Sequence, residues 1–360
     1  MKLPSVLISL SLVSSLFAER KPAPIPGSIP HELIGKPAEE EDIFAVASKQ
    51  GSRVLISRDD GRTWKQSLLA TPHQEDGGWH GNFAVYGLAT TKGVLAVFSG
   101  WGTPGIALAT TDGSNWAHLN PKGSELASVW DATAGAGVFL TSADMWRGVS
   151  TLEGPFQSWK KHRLSPLLDG GKTHHLICGY GEDKGGRFVV VGDNRHVFFS
   201  SDLGKTWKHS RIPEAAPDKQ QGAVVFGNGI FLCSYPGHVA RSADGGKTWT
   251  LHLHGLAGKR LSWRGLSFVK EEFWLTTRGG KGSRKSKDGI TWTDLPDSTP
   301  GGRFVEGPGG TLINVERHSK TPGIRRSTDG QTWIQVFTPP EDDVTWDFSF
   351  LVSGKLRRQR

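Results

Sequence analysis

Short apolar runs separated by Gly, Asn and Asp recur along most of this chain, and almost none repeats with the 3.6-residue period of an amphipathic helix. Residues 222–253, GAVVFGNGIFLCSYPGHVARSADGGKTWTLHL, display the unit. AVVF, GIFLCS, HVARS and TWTLHL read as four strands bounded by turn residues, designated a, b, c and d from the first to the last. Between c and d stands a polar box whose fullest form is Ser-x-Asp-x-Gly-x-Thr-Trp. It occurs six times: SRDDGRTW (57–64), TTDGSNW (110–116), SSDLGKTW (200–207), SADGGKTW (242–249), SKDGITW (286–292) and STDGQTW (327–333). Trp159 ends the stretch GVSTLEGPFQSW, where a seventh, eroded copy belongs. The tryptophans fall at 64, 116, 159, 207, 249, 292 and 333, so the intervals are 52, 43, 48, 42, 43 and 41 residues. Four-stranded units at a period in the forties predict the blades of a β-propeller.

The box suits the c–d hairpin. A short Asp or Ser side chain accepts hydrogen bonds from turn amides, and Gly supplies the positive φ such a turn needs. The Trp that follows is large enough to wedge between neighbouring sheets. The first unit, from Ile43, offers only b (IFAVAS), c (RVLISR) and d. Its innermost strand is expected from the other end, where TWDFSFLV (345–352) follows the last d strand. Such closure removes the sheet edges of an open ring. The expected fold is all-β, a seven-bladed propeller of four-stranded antiparallel blades over residues 42–356, closed by a C-terminal strand that completes blade one.

These boxes resemble the Asp boxes, or bacterial neuraminidase repeats, of the sialidase-like propellers, and the resemblance covers about residues 42–356. It implies a fold more than an activity, because such propellers include sialidases, xyloglucan-active hydrolases, sortilin-type receptors and photosystem II assembly-factor-like proteins. A single seven-bladed domain is most similar to the last of these, which implies a role in holding or assembling a partner.

Composition adds a compartment. Residues 1–18, MKLPSVLISLSLVSSLFA, read as a secretory signal peptide, and the Pro-rich, charged stretch 19–41 reads as a linker or strap. A secreted or periplasmic protein is therefore expected, without a membrane span and as a monomer. The net charge of +8 favours an anionic partner, an extracellular glycan or protein. Its two dense basic clusters, RGGKGSRKSK (278–287) and the tail that ends in residues 357–360, read as solvated loops. No nucleic-acid motif accompanies the charge. Cys178 and Cys233 fall on strands of different blades and read as buried free thiols. The histidine pairs lack the spacing of a metal site and no Gly-rich phosphate loop is present, so neither metal nor cofactor is expected.

In each antiparallel blade the c–d hairpins lie on one face of the disc, so chemistry is expected on the opposite face, built from b–c loops and the starts of the a strands. The chain has fourteen Trp. Beyond the seven at hairpins, Trp79, Trp101, Trp130, Trp146, Trp263 and Trp346 map to that face, while Trp274 does not. Trp101 and Trp146, in Gly-flanked loops, are candidate binding aromatics, because indole planes stack on sugar rings. Trp79, Trp130, Trp263 and Trp346 divide between that role and capping the core. The starts of the a strands bring a ring of polar residues to the channel mouth: His80, Asp131, His175, Gln221, Arg264, Arg303 and Asp347. The b–c loops add Arg195, Tyr235, His238, Arg278, Glu316, Arg317 and His318. His80, His175, Arg264, Arg303 and Arg317 are the candidate polar ligand-binding residues.

The sialidase resemblance implies an arginine triad, a Tyr–Glu nucleophile pair and an Asp acid/base. Arg264, Arg303 and Arg317, Tyr235 with Glu316, and Asp131 or Asp347 are the positions that would fill those roles in an exo-acting glycoside hydrolase. The pattern is incomplete: no Phe-Arg-Ile-Pro opens the first blade, and Arg211-Ile212-Pro213 follows the fourth box on an outer strand. The expected function is therefore non-catalytic recognition of an extracellular glycan or protein through the top face, with the hydrolase as the alternative.

Overall fold

The computed structural model describes residues 39–48, 53–69, 85–100, 105–119, 126, 128–143, 148–154, 156, 158–168, 173–219, 222–317, 319, 321–340 and 346–358. They form seven four-stranded antiparallel sheets arranged in a ring. From the centre outward, blade one is β28 (Phe348–Arg357), β1 (Glu40–Ser48), β2 (Arg53–Ser57) and β3 (Lys65–Leu69). Blade two is β4 (Val85–Thr91), β5 (Val94–Ser99), β6 (Ile106–Thr110) and β7 (Ala117–His118). Blade three is β8 (Asp131–Gly135), β9 (Val138–Ala143), β10 (Gly148–Glu153) and β11 (Lys160–Arg163). Blade four is β12 (Ile177–Gly181), β13 (Arg187–Val191), β14 (His196–Ser200) and β15 (Lys208–Arg211). Blade five is β16 (Val224–Gly227), β17 (Ile230–Tyr235), β18 (His238–Ser242) and β19 (Thr250–Leu253). Blade six is β20 (Leu261–Val269), β21 (Glu272–Thr277), β22 (Arg284–Ser286) and β23 (Thr293–Asp294). Blade seven is β24 (Arg303–Glu306), β25 (Leu312–Val315), β26 (Ile324–Ser327) and β27 (Ile334–Phe337).

Closure is by the C-terminal strand, as the pattern requires. β28 pairs with β1 from Glu40 opposite Arg357 to Ser48 opposite Phe348, so the ladder begins at Glu40. Residues 1–38, which carry the expected signal peptide and most of the linker, lie outside the described residues. No helix among the described residues is long and apolar enough to cross a membrane.

The boxes take two backbone forms. In the eight-residue form two successive residues have positive φ, Asp60 (60°) with Gly61 (79°) and Leu203 (57°) with Gly204 (82°), whereas the seven-residue form needs only the Gly. In both forms the box Ser or Thr hydroxyl accepts the Gly N–H, at 2.8 Å for Gly246 and 2.8 Å for Gly330. The box Asp then gathers the rest of the turn: Asp244 accepts the N–H groups of Lys247 and Thr248 at 3.0 Å each and the Thr248 hydroxyl at 2.7 Å. In the longer form the indole N–H closes on the Gly carbonyl of its own box, at 3.1 Å for Trp249. Among the seven-residue boxes, Trp116 donates instead to Ser67 Oγ of the preceding blade at 3.0 Å.

Seven apolar clusters lie among the described residues, one between each pair of neighbouring blades, and each holds one hairpin tryptophan. Trp159 keeps this place without a box Asp. It is buried between blades two and three and donates to the Leu119 carbonyl at 3.2 Å. The boxes are also sockets. Arg58 donates to the Asp112 carbonyl, Arg187 to that of Asp244 (3.1 Å), Arg241 to that of Asp288 (2.8 Å) and Arg326 to that of Asp60 (2.7 Å), each in the box of the next blade. These four arginines thus join neighbouring blades. Cys178 and Cys233 are buried and unpaired.

Candidate functional site

The innermost strand of blade six departs from its neighbours. Leu261 pairs with Thr277 and Leu266 with Leu275, so residues 262–265 form an inward bulge. Arg264 sits there at φ 53°, a backbone conformation costly for a long side chain. Hydroxyls hold the bulge: Ser262 Oγ donates to the Thr277 carbonyl and accepts the Gly302 N–H, both at 2.9 Å, and Thr276 Oγ1 donates to the Gly302 carbonyl at 2.8 Å.

The bulge carries Trp263 and Arg264 across the channel. Trp263 packs against the cluster between blades one and two and meets Phe350 edge-on at 5.6 Å. Arg264 forms a buried ion pair with Asp131 of blade three, whose other oxygen accepts the Cys178 N–H at 2.8 Å. Two guanidinium carbons approach the Trp263 ring, Arg264 at 4.8 Å and Arg317 at 4.7 Å. Arg317 also pairs with Asp347 at 3.1 Å.

Around the mouth runs an aromatic arc. Tyr86 of blade two stacks on Trp130 at 5.9 Å with planes 27° apart, and Trp130 meets the His175 ring at 4.7 Å. His175 Nδ1 is 2.5 Å from Asp193 Oδ2. Burial pushes the Tyr86 hydroxyl above its ordinary pKa, against the pull of Arg317.

Beside Arg264, which with Trp263 forms a plug across the channel, lies a cavity of about 230 Å³ lined by Asp131, Arg264, Arg303, Tyr180, Cys178 and Phe226 among others. Arg303 opens partly onto it. Burial first, and the Arg264 cation second, push Arg303 down to about 10, with Asp131 opposing them. Cys178 is pushed far up by burial and then by Asp131, which leaves it a thiol.

Of the residues expected at the mouth, the structure brings together Asp131, His175, Arg264, Arg303, Arg317 and Asp347, though each carboxylate is engaged by a cation. His80, Trp101 and Trp146 lie outside the described residues, as do Trp79, Gln220, Gln221 and His318. Tyr235 requires a correction: it is fully buried in the cluster between blades four and five, and burial pushes its hydroxyl far above the ordinary tyrosine range. It ends β17 with its side chain turned into the core, because strand alternation sends the ring there. Glu316, paired with Tyr235 in the sequence reading, is in blade seven, buried, and accepts the Gly279 N–H at 2.7 Å. Trp346 and Trp274 are core residues. Tyr86 and Asp193 complete the arc without a sequence signal, since neither stands beside a repeat landmark. No group of three or more His, Cys, Asp or Glu among the described residues forms a metal site.

No family model matches the sequence, and no curated protein matches it. Solved structures match by shape. Streptogramin B lyase superposes with a TM-score of 0.57 at 12% identity, covering 74% of this chain and 86% of that one. A putative 6-phosphogluconolactonase from Bacteroides uniformis gives 0.58 at 11%, covering 88% and 99%. YCF48 bound to D1 peptide gives 0.50 at 15%, covering 81% and 94%. At such identities the likeness is one of fold, and these propellers differ in role.

Proposed function

We propose that this chain is an exported, non-catalytic binding or assembly propeller of the Asp-box kind, which recognises an extracellular glycan or protein through its top face. The observation that carries this reading is the state of the carboxylates. Asp131 is held by Arg264 and the Cys178 N–H, Asp347 by Arg317, and Glu316 by the Gly279 N–H. A glycosidase needs one carboxyl kept protonated beside the substrate and a second free to act as nucleophile or base. Carboxylates locked to cations and amides suit neither task. Side chains of the mouth better suited to a partner are the half-buried Trp130 and Trp263, which offer stacking planes, with Arg317 beside them as a cation shared with Asp347. Exported location rests on the N-terminal sequence, and the anionic character of the partner on the net charge of +8. The capture of a peptide by the like-folded YCF48 supports a protein partner.

The test is a glycan and acidic-peptide array probed with the full mature protein, alongside a fluorogenic glycoside panel. Array binding should weaken about tenfold or more in Trp130→Ala and Arg317→Ala, as for central aromatic and Arg contacts. Glycoside turnover by the wild type that is lost in Asp131→Asn would sink the reading and restore the hydrolase.

A further inference from the structure

Residues 278–287, RGGKGSRKSK, read in the sequence as one solvated basic loop, but the fold takes that run apart. Arg284 and Lys285 lie on β22 and are paired, with Asp294 at 3.0 Å and with Glu272 at 2.9 Å. Lys287 belongs to the box of blade six, on the opposite face of the disc. Arg278 and Lys281 stay on the top face, in the b–c loop of blade six, and meet Lys259 and Arg260 from the connection that enters the blade. The Arg278 N–H donates to the Arg260 carbonyl at 2.9 Å, and Lys259 Nζ lies over Gly282. All four cations are exposed, and residues 255–270 and 273–287 contain neither Asp nor Glu.

Their backbone is held in place. Glu316 accepts the Gly279 N–H at 2.7 Å, Thr277 Oγ1 donates to the Lys281 carbonyl at 2.8 Å, and the Ser283 N–H donates to the Gly280 carbonyl at 3.0 Å. Gly280 takes φ 88° with the Thr299 carbonyl where a side chain would stand, so the loop is wedged against the entry to blade seven. We propose that this basic face of blade six docks a linear anionic polysaccharide, whose sulfate or carboxylate groups meet Arg260, Arg278, Lys259 and Lys281. Such docking rests on the reading of the top face as a recognition surface and names its partner. Like charges fixed side by side repel, and an anionic chain laid across them relieves the repulsion. The two guanidinium forks add bidentate contacts to sulfate or carboxylate. A fixed array suits a stiff polymer whose charges also keep their spacing, because little ordering entropy is then lost on either side. A protein partner would need an aromatic or apolar anchor at the centre of the contact. The other exposed residues of 255–260 and 278–281 are Gly255, Ala257, Gly258 and Gly279, which supply none. They equally lack the apolar side chains that carry a surface into a lipid boundary.

Binding to the immobilised full chain tests this with dextran sulfate and polygalacturonate as probes, beside neutral dextran, poly-glutamate and phosphatidylglycerol vesicles. At least one of the two anionic polysaccharides should bind, neutral dextran should not, and the affinity should fall as NaCl is raised. Arg260→Gln combined with Lys281→Gln should weaken that binding about tenfold or more. Lys247→Gln combined with Lys287→Gln removes the same charge from exposed box positions on the other face, and should bind as the wild type does. Both double variants should keep the wild-type thermal midpoint, since all four positions are exposed. Docking of this kind is overturned if neither polysaccharide binds, or if the Arg260 and Lys281 double variant binds as well as the wild type. Equal weakening in the two double variants would also overturn it, as the mark of diffuse net charge. So would poly-glutamate or vesicles binding more tightly than both polysaccharides, which would assign the patch to a protein or a lipid surface. Failure here leaves the mouth contacts of Trp130 and Arg317 untouched, whereas glycoside turnover lost in Asp131→Asn sinks the broader reading without involving these four cations.

Discussion

At the scale of single residues, the behaviour of this ring turns on which charges have partners. Arg264 and Asp131 come from blades on opposite sides of the channel, and their side chains are 9% and 2% exposed. Removing one member of such a pair strands the other, so Asp131→Ala should cost about 3 kcal/mol or more in urea unfolding. The doubly neutral variant Asp131→Asn with Arg264→Gln should recover part of that loss, and a loss under about 1 kcal/mol in the single variant would mean the bridge does not hold the plug. Both residues stood out in the sequence as polar neighbours of tryptophans at the starts of innermost strands. That they meet was not legible, because the contact depends on a bulge in β20 and a separation of 133 residues. Tyr235 failed for the opposite reason. Its position at the end of β17 was legible, but the face to which its ring turned was decided by packing between blades four and five.

At the scale of elements, each box is at once a turn, a wedge and a socket. Arg326 illustrates the third role, reaching the Asp60 carbonyl at 2.7 Å across the closure between blades seven and one. Its guanidinium also pairs with the Asp60 carboxylate. Arg326→Ala should therefore lower the unfolding free energy by about 1.5–3 kcal/mol, the range for a hydrogen bond to a charged group. Arg62, on the exposed side of the same box, is the control, and Arg62→Ala should change the denaturation midpoint little. The turn and the wedge were readable from the box sequence. The socket was not, since the same Arg-Ser spacing would suit an exposed strand end.

At the scale of the whole molecule, stability depends on closure and on the six box carboxylates together. A chain ending at Asp347 lacks β28 and exposes the full length of β1, so it should lose the single cooperative transition in calorimetry and associate through the bare edge. A sharp single transition at an unchanged midpoint would show that the ring does not need its closing strand. The box carboxylates set the acid limit. Burial, the largest single influence, raises Asp59, Asp112, Asp202, Asp244 and Asp288, but the turn N–H and hydroxyl donors together outweigh it and hold all five below the ordinary value. Asp329 is held down by the amides of Thr332 and Gln331 and by the Ser327 hydroxyl. Folded-state values below unfolded ones mean that this stability is complete above the unfolded value of about 4 and is lost as the pH falls through the folded values. Burial also holds His118, His162, His252 and His254 below the ordinary histidine value, so the urea midpoint should begin to fall below about pH 6.5 and drop further below about pH 4, and Asp244→Asn should flatten part of that second drop.

The sequence by itself determined the number of blades, their four-strand composition, the closing strand and the face on which the hairpins lie. These features are written in local patterns that repeat, and the eroded seventh copy kept the Trp that the inter-blade cluster requires. Only the tertiary structure decided that Trp263 and Arg264 close the channel, that the mouth carboxylates are already paired, and that Arg303 shares one cavity with the Arg264–Asp131 pair. Those facts depend on side chains from blades three, six and seven meeting at one axis. Residues far apart in the chain carry no mark of that meeting until the ring is closed.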